Sequence, residues 1–233
     1  RAADLGLDIL PLHRAVADLP DDRVPTIRTV HGHQGGCPSG SRYLSRTGMP
    51  CNRTYSLTGC FWGHVVDRCG SVRPNRLANN FTQIHREIDQ AEQILTYTVS
   101  DFLRRQMRRA GCAPDRLHTL HSPAPAVEKS FTPVPRDAPP RFLFLGRLVP
   151  EKGLDWVLRA VARTETRVHL DVAGKGPRRD EMETLAEDLG VRPQVSFHGW
   201  VESEKVPSFM DRARAVLFPS VWHEPAGLIT LEA

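Results

Sequence analysis

Several common signatures are missing from this 233-residue sequence, and each absence removes a class of protein. No apolar run approaches the ~20 residues that a membrane-spanning helix needs. No internal repeat or low-complexity tract is present, which excludes solenoid and fibrous proteins. No Asp-x-Asp pair is present either. The sequence therefore lacks the pair of carboxylates that commonly binds the divalent cation of a diphosphate.

The composition is ordinary for a soluble globular protein. Hydrophobic residues make up 40% and charged residues 25% of the chain, enough to build a core and a solvated surface. The net charge is +4, and no aromatic-basic interleaving or zinc-finger spacing accompanies it. We therefore expect no nucleic-acid partner.

The most informative stretch is residues 218–233, which closes the chain. Residues 215–218 are predicted to form a short apolar strand, and helix-forming residues begin at Ala226. Glu224 then lies in the loop and Glu232 on the helix, roughly 9 Å from its first turn at ~1.5 Å per residue. If a diphosphate binds at the helix N-terminus, the hydroxylated groups attached to its two ends can lie at Glu224 and Glu232, whose carboxylates accept hydrogen bonds from hydroxyls. The alternative is that both glutamates are solvated charges.

A second candidate loop lies upstream, after the predicted buried strand 141–145. Arg147 and Lys152 lie in the loop 146–153, and an amphipathic helix follows with its apolar stripe at Leu154, Val157, Leu158 and Val161. Loops at the carboxyl ends of strands are where open parallel sheets bind ligands, and two cations there suit a diphosphate. Two exposed charges near a helix start are the alternative.

Two further strands, 168–173 and 195–197, continue this half. Between them lie the turn Gly174 to Pro177 and a helix with Met182, Leu185, Ala186 and Leu189 inward and Gly190 after its end. The turn lacks the G-x-x-x-x-G-K-S/T pattern of a phosphate loop, and it lacks the third glycine of a dinucleotide fingerprint. It is predicted to be a tight turn, with a donor-binding role for Gly174 as the alternative. The alternation predicts a doubly wound parallel sheet.

These elements resemble glycosyltransferase family 4, the group 1 glycosyltransferases with two facing Rossmann-like domains. The shared motifs are Gly146-Arg147-Leu148 with Lys152-Gly153, the turn from Gly174, residues 197–200, and Glu224 to Leu228 closing on Glu232. The resemblance implies that Arg147 and Lys152 contact a donor diphosphate and that Glu232 takes the ribose hydroxyls. It also implies that Glu224 and the amides of Ala226, Gly227 and Leu228 meet the donor sugar and phosphate.

The preceding half has weaker signals. Strands are predicted at residues 7–10, 26–30 and 93–98, and Ser100-Asp101 should cap a helix that ends near Gly111. The resemblance implies that His31, after the second strand, is an active-site histidine facing the donor sugar, with His33 a weaker candidate. A histidine that merely caps the strand end is the alternative.

The domain prediction places a partial acceptor-side Rossmann-like domain at residues 1–121 and a partial donor-binding domain at 141–233. Residues 122–140 hold six prolines and are predicted to be an interdomain linker. Ser122-Pro123-Ala124 replaces the family's asparagine-glycine turn, which leaves that contact in doubt. Since the chain lacks an initial methionine and stops within a predicted helix, we expect an inactive fragment with both domains incomplete.

Cys37, Cys51, Cys60 and Cys69 fall in one loop-rich stretch, while Cys112 stands apart. Their spacing is not that of a zinc ribbon, so separate thiols and no metal site are predicted, with a structural metal loop as the alternative. Arg104, Arg105, Arg108 and Arg109 share a helix with Phe102, Leu103 and Met107. This helix face either docks on an anionic membrane or is simply solvated.

The predicted activity is transfer of a hexosyl group from a UDP-, GDP- or ADP-sugar to a glycan or lipid-linked acceptor. The resemblance implies retention of anomeric configuration. No cofactor is expected beyond the nucleotide-diphosphate sugar, because Arg147 and Lys152 can replace a metal electrostatically. The expected location is cytoplasmic, at most peripheral at the inner face of the membrane. The alternatives are a sugar-nucleotide epimerase and a non-catalytic nucleotide-sugar-binding remnant.

Overall fold

The computed structural model describes residues 8–19, 24–124 and 139–233. The chain divides into two compact units. The N-terminal unit comprises Arg1–Pro123 with Trp222–Gly227, and the C-terminal unit comprises Ala124–Val221 with Leu228–Ala233. Residues 125–138 of the predicted linker lie outside the described residues, so the linker stays a prediction.

The described strands of the N-terminal unit form a parallel sheet in the order β1-β2-β5-β6. Their bounds are Leu10–Leu12, Thr26–Val30, Leu95–Thr98 and Leu117–Thr119. A small antiparallel hairpin of β3 (Tyr43–Leu44) and β4 (Met49–Pro50) lies between β2 and the helices in sequence. Parallel pairing requires crossover connections, and helices supply them on the way from β2 to β5 and from β5 to β6.

These helices are α1 (Leu57–Val65), α2 (Pro74–Gln93) and α3 (Asp101–Arg109). Ser100 begins α3 as predicted, because its hydroxyl accepts a hydrogen bond from the amide of Leu103. Proline occupies the first turn of α2, where its missing N–H costs no helical hydrogen bond. Packing of α2 and α3 on the sheet buries an apolar core of Val30, Ala91, Met107, Cys112 and Leu117.

The described strands of the C-terminal unit also form a parallel sheet, in the order β10-β7-β8-β9. The strand bounds are Arg141–Leu145 (β7), His169–Ala173 (β8), Val195–Gly199 (β9) and Ala215–Leu217 (β10). The helices of this unit are α4 (Leu154–Val161), α5 (Arg179–Asp188), α6 (Val206–Asp211) and α7 (Ile229–Glu232).

Side chains alternate between the two faces of β7, and each face is covered. Phe144 packs with the apolar stripe of α4 and with α5, whereas Leu143 packs with Ala213 and the apolar residues of α6. The predicted stripe of α4 is buried in full, and Gly190 follows α5 in the left-handed conformation. The predicted doubly wound α/β fold is confirmed.

Several element boundaries shift by one or two residues, and strand β1 and helix α7 begin three residues later than predicted. Strand β1 begins at Leu10 rather than at residue 7, which lies outside the described residues, and it includes Pro11. Proline is tolerated there because β1 is an edge strand of the described sheet. Helix α7 begins at Ile229 rather than at Ala226, since Gly227 takes the left-handed conformation with φ +62°.

Candidate functional site

The order of strands in the C-terminal unit creates a topological switch point beside β7. From β7 the chain proceeds through β8 to β9 on one side, and it then returns to place β10 on the other side. Ligands of open parallel sheets bind in the crevice at such a point, outside the carboxyl ends of the strands. The loops that follow β7 and β10, residues 146–153 and 218–221, border this crevice.

These two loops contact each other through their backbones. The amide of Val221 donates a hydrogen bond to the carbonyl of Glu151 at 3.0 Å. Gly153 adopts the left-handed conformation with φ +70°, and a side chain added there would collide with the carbonyl oxygen of Pro219. Glycine is therefore required at this position by both its conformation and its neighbour.

Arg147 and Lys152 both belong to the loop after β7, at the edge of the crevice. The Arg147 side chain is 66% exposed and lies 3.7 Å from the Glu151 carboxylate. The Lys152 ammonium lies 5.9 Å from the centre of the Phe218 ring, which follows β10. An exposed guanidinium remains able to bind an anion, since a single ion pair in water constrains it only weakly.

Gly146 and Gly174 have a structural role at the ends of β7 and β8. The amide of Gly146 donates to the carbonyl of Ala173 at 3.0 Å, and a side chain on Gly174 would collide with the carbonyl of Gly146. The amide of Leu148 also donates to the carbonyl of Lys175 at 2.9 Å. The turn at Gly174 therefore supports the loop that carries Arg147, whatever its role toward a ligand.

The two glutamates at the end of the chain fall in different units. Glu224 lies in the stretch 222–227, which is grouped with the N-terminal unit, and Ala226 and Gly227 share that stretch. Leu228 and Glu232 belong to the C-terminal unit, where Glu232 is exposed on α7. The prediction that the amides of Ala226 and Gly227 belong to a helix N-terminus is wrong, because α7 begins at Ile229.

His33 is the histidine that the stretch 222–227 contacts. Its Nε2 donates a hydrogen bond to the carbonyl of His223 at 2.6 Å, and its ring meets Trp222 edge-on at 5.3 Å between centroids. Only 2% of His33 is exposed, and this burial lowers its pKa to about 4. A neutral, buried imidazole therefore anchors the segment that carries Glu224.

His31 occupies a different position, at a pocket of about 550 Å³ in the N-terminal unit. Its Nε2 lies 3.0 Å from Nδ1 of His13. Burial, and then the neighbouring His13, lower the pKa of His31 below the usual 6.5. One face of the pocket is formed by the polar residues Asn79, Asn80, Gln83 and Glu87 of α2.

Sequence reasoning missed this polar face because it did not identify α2 at all. Two signals were available: Pro74 in a position suited to a first helical turn, and apolar residues at helical spacing such as Leu77, Phe81, Ile84 and Ile88. The contact between His33 and residue 223 had no comparable signal, since the two residues are far apart in sequence.

Of the three apolar residues that the membrane alternative needs on α3, two are buried. Leu103 and Met107 are each 1% exposed, and they pack inside the N-terminal unit. Arg105, Arg108 and Arg109 are exposed and form a solvated face. Among the residues that the structure describes, none of the helices combines the length and the apolarity needed to cross a membrane.

Comparison with protein families matches residues 127–233 to the model described as glycosyl transferases group 1. The uncharacterized glycosyltransferase YqgM of Bacillus subtilis is 31% identical over 209 residues, covering 88% of this chain and 55% of YqgM. The lipopolysaccharide core biosynthesis glycosyltransferase LpsD of Rhizobium meliloti is 35% identical over 116 residues, covering 49% of this chain and 32% of LpsD. The chain thus spans about half or less of the length of these relatives.

Solved structures resemble the fold. The structure of WaaG, a glycosyltransferase involved in lipopolysaccharide biosynthesis, superimposes with a TM-score of 0.65 at 17% sequence identity. The match covers 98% of this chain and 57% of the WaaG chain. Anabaena HepE in complex with UDP-glucose matches 89% of this chain and 50% of its own with a TM-score of 0.58 at 15% identity. At these identities the likeness establishes the fold alone.

Proposed function

We propose, since the chain belongs to the group 1 glycosyltransferases, that the protein transfers a hexosyl group from a nucleotide-diphosphate sugar to a glycan or lipid-linked acceptor. The names of LpsD and WaaG connect relatives of this chain with lipopolysaccharide synthesis. HepE was solved with UDP-glucose, which supports a sugar nucleotide as the donor. We place the reaction in the cytoplasm. In this proposal the protein contacts the membrane only peripherally, at its inner face.

The observation that carries this proposal is the position of Arg147 and Lys152 at the topological switch point. Breaking the bond between sugar and phosphate develops negative charge on the leaving diphosphate. Fixed cations at that position stabilise the transition state more than the ground state, so they raise the rate. This role needs no divalent ion, in agreement with the missing Asp-x-Asp pair.

The pocket beside His31 is our proposed place for the acceptor. Its amide side chains, Asn79, Asn80 and Gln83, offer both donors and acceptors, which suits the hydroxyl groups of a sugar. His31 lines this pocket, and we propose that it faces the donor sugar there. Glu224 and Glu232 remain our candidates for the donor sugar and the ribose, with the amides of Ala226 to Leu228 beside the phosphate. Retention of configuration is part of the same proposal.

The proposal is tested by incubating the full-length gene product that carries this sequence with UDP-, GDP- and ADP-sugars and a crude lipid and glycan extract. We expect nucleoside diphosphate release from one donor, rising with extract. Arg147→Ala and Lys152→Ala should each lower turnover about 100-fold, comparable to the loss of one electrostatic group in other active sites. Binding of the nucleoside should change little.

Arg159→Ala is the matched control, because Arg159 is an exposed cation on the neighbouring helix α4. Near-normal turnover in both loop variants would contradict the diphosphate role. A sugar epimerised without any acceptor would overturn the transferase function, as would binding of a sugar nucleotide without any release.

A further inference from the structure

Helix α1 of the N-terminal unit presents its large apolar side chains to solvent. These side chains, each 46–61% exposed, form the apolar face of α1 and belong to Leu57, Phe61, Trp62 and Val65. The residues that this helix buries are Gly63 and His64 instead. A surface helix of a globular protein normally turns its apolar stripe toward the core and its polar residues toward water. The arrangement on α1 is therefore inverted.

The apolar face covers about half of the circumference of α1, at about 100° per residue. The opposite half carries only small or polar residues, namely Gly59, Cys60, Gly63 and His64. Beyond the helix, Val66 and Val72 are 39% and 58% exposed as well. Scattered exposed apolar residues need no explanation, but a helix face composed of them marks an interaction site.

Contacts on the inner half of α1 fix the rotation of the helix. Nδ1 of His64 donates to the carbonyl of Cys60 at 2.8 Å, and the His64 ring packs against Phe81 of α2 with 5.5 Å between centroids. At Gly63 the packing is close, because an added side chain would begin 3.2 Å from Nη1 of Arg53 and from Sγ of Cys69. This inner side has no room for a phenyl or indole ring, so the apolar face stays outside.

The sequence around α1 is strongly basic. Residues 43–76 contain no lysine and a single acidic residue, Asp67, which is 8% exposed and lies 2.6 Å from Nη1 of Arg53. The same stretch carries five exposed arginines: Arg46, Arg53, Arg68, Arg73 and Arg76. Among the residues that the structure describes, no carboxylate forms an ion pair with Arg68, Arg73 or Arg76. Positive charge therefore flanks the apolar face.

The combination of an apolar aromatic face and flanking arginines fits the surface of an anionic bilayer. Helices that lie in the membrane interface bury an apolar face below the headgroups and gain further affinity from anionic lipids. The Trp62 ring is suited to this depth because it is apolar but carries one N–H group. A second copy of this chain fits less well, since two basic surfaces would repel each other.

We propose that the apolar face of α1 docks the N-terminal unit on an anionic bilayer. Phe61 and Trp62 enter the boundary between headgroups and acyl chains, and Arg68, Arg73 and Arg76 contact lipid phosphates. This inference deepens the peripheral membrane contact proposed above and rests on that proposal. It assigns the contact to α1 and not to α3.

The test measures co-sedimentation of the full-length gene product that carries this sequence with vesicles of equal parts phosphatidylcholine and phosphatidylglycerol. We expect binding to these vesicles and none to pure phosphatidylcholine. The double variant Phe61→Ser with Trp62→Ser should bind at least about 10-fold more weakly, because most of the inserted apolar area is lost. Trp156→Ser is the matched control, since Trp156 on α4 is 62% exposed, as Trp62 is 61%, and it should bind like the wild type.

Charge reversal tests the arginines. Arg73→Glu with Arg76→Glu should lower binding by about 10-fold or more. Both positions lie at the start of α2, where an acidic side chain favours the helix dipole, so the fold should not suffer. Arg105→Glu with Arg109→Glu on α3 changes the net charge equally and should leave most of the binding intact. An equal loss in both pairs would overturn the assignment to α1.

Insertion is measured by fluorescence. Vesicles with brominated acyl chains should quench the tryptophan emission of the wild type, and Trp62→Phe should lose most of this quenching while it still binds. Absence of binding by the folded wild type would overturn the proposal, as would full binding by the double serine variant. If acrylamide cannot reach Trp62 in the absence of vesicles, a protein segment or partner covers the face and the proposal is wrong.

The vesicle assay contains neither donor nor acceptor sugar, so its outcome is separate from that of glycosyl transfer. Failed docking together with release of nucleoside diphosphate in the donor assay would refute the docking surface alone. Retained docking without any release from any donor would count against the transferase function alone.

Discussion

The carbonyl oxygen of Pro219 occupies the space that a side chain on Gly153 would need. Gly153 ends the loop after β7, and Pro219 follows β10, so this contact joins the two loops at the switch point. Gly153→Ala should lower the free energy of unfolding by about 3 kcal/mol, because it combines left-handed strain with a backbone collision. Chemical denaturation of the purified protein measures this loss.

Gly190→Ala separates the effect of left-handed backbone strain from the effect of the collision with Pro219. Gly190 has the same φ of +70°, but nothing lies within 4 Å of an added side chain. We therefore expect a loss of only about 1 kcal/mol from the conformational strain. Equal losses in both variants would show that the contact with Pro219 does not constrain the loops.

The stability of the protein should depend on pH through His33. Its pKa falls from 6.5 to about 4 on folding, chiefly because it is buried. Between these values the unfolded chain binds a proton that the folded chain does not, so stability falls as the pH drops from 6.5 to 4. The full effect is about 3 kcal/mol.

His33→Gln should remove this dependence, since glutamine can still donate to the carbonyl of His223 but does not titrate there. His121→Gln, at an exposed position, is the control and should leave the slope unchanged. The measurement is the free energy of unfolding at several pH values between 4 and 7. An unchanged slope in His33→Gln would contradict the assignment.

Asp171 on β8 connects three neighbouring strands of the C-terminal sheet, because its carboxylate bonds to Arg141 on β7 and to His198 on β9. It is 1% exposed and accepts hydrogen bonds from His198 at 2.6 Å and from Arg141 at 2.9 Å. Burial alone would raise its pKa, but these bonds and the charge of Arg212 lower it below 3.8. The carboxylate therefore stabilises the fold above pH 3.8, and this contribution is lost as the pH falls further.

Asp171→Asn should cost about 2–4 kcal/mol at pH 7, because the charge that pairs with Arg141 and Arg212 disappears from a buried position. Asp180→Asn is the control, since Asp180 is exposed at the start of α5. Thermal unfolding at pH 7 and pH 3 should show a difference between Asp171→Asn and the wild type that shrinks at the lower pH. A constant difference would contradict the role of the charge.

The C-terminal unit was largely predictable because its signals are local. Strands such as β7 are short apolar runs, α4 has a clear stripe, and the loop cations follow the strand directly. The start of α7 was not predictable from helix propensity, because the left-handed Gly227 excludes the first turn. In the N-terminal unit, α2 had local signals that were overlooked, whereas the hydrogen bond from His33 to the carbonyl of His223 joins residues far apart in the chain, and single-sequence patterns do not encode such contacts.

Arg28 and Glu87 form a buried ion pair between β2 and α2, 0% and 1% exposed, with Nη1 and Oε2 3.1 Å apart. Oε1 of Glu87 also accepts from the amide of Ala15 at 2.8 Å. Glu87→Gln should destabilise the protein by about 3–5 kcal/mol, because it leaves the guanidinium buried without a counter-charge. Adding Arg28→Met to this variant should recover part of that loss, since the unpaired charge is then gone. Denaturation of both single variants and the double variant measures the coupling, and strictly additive losses would show that the two charges do not stabilise each other.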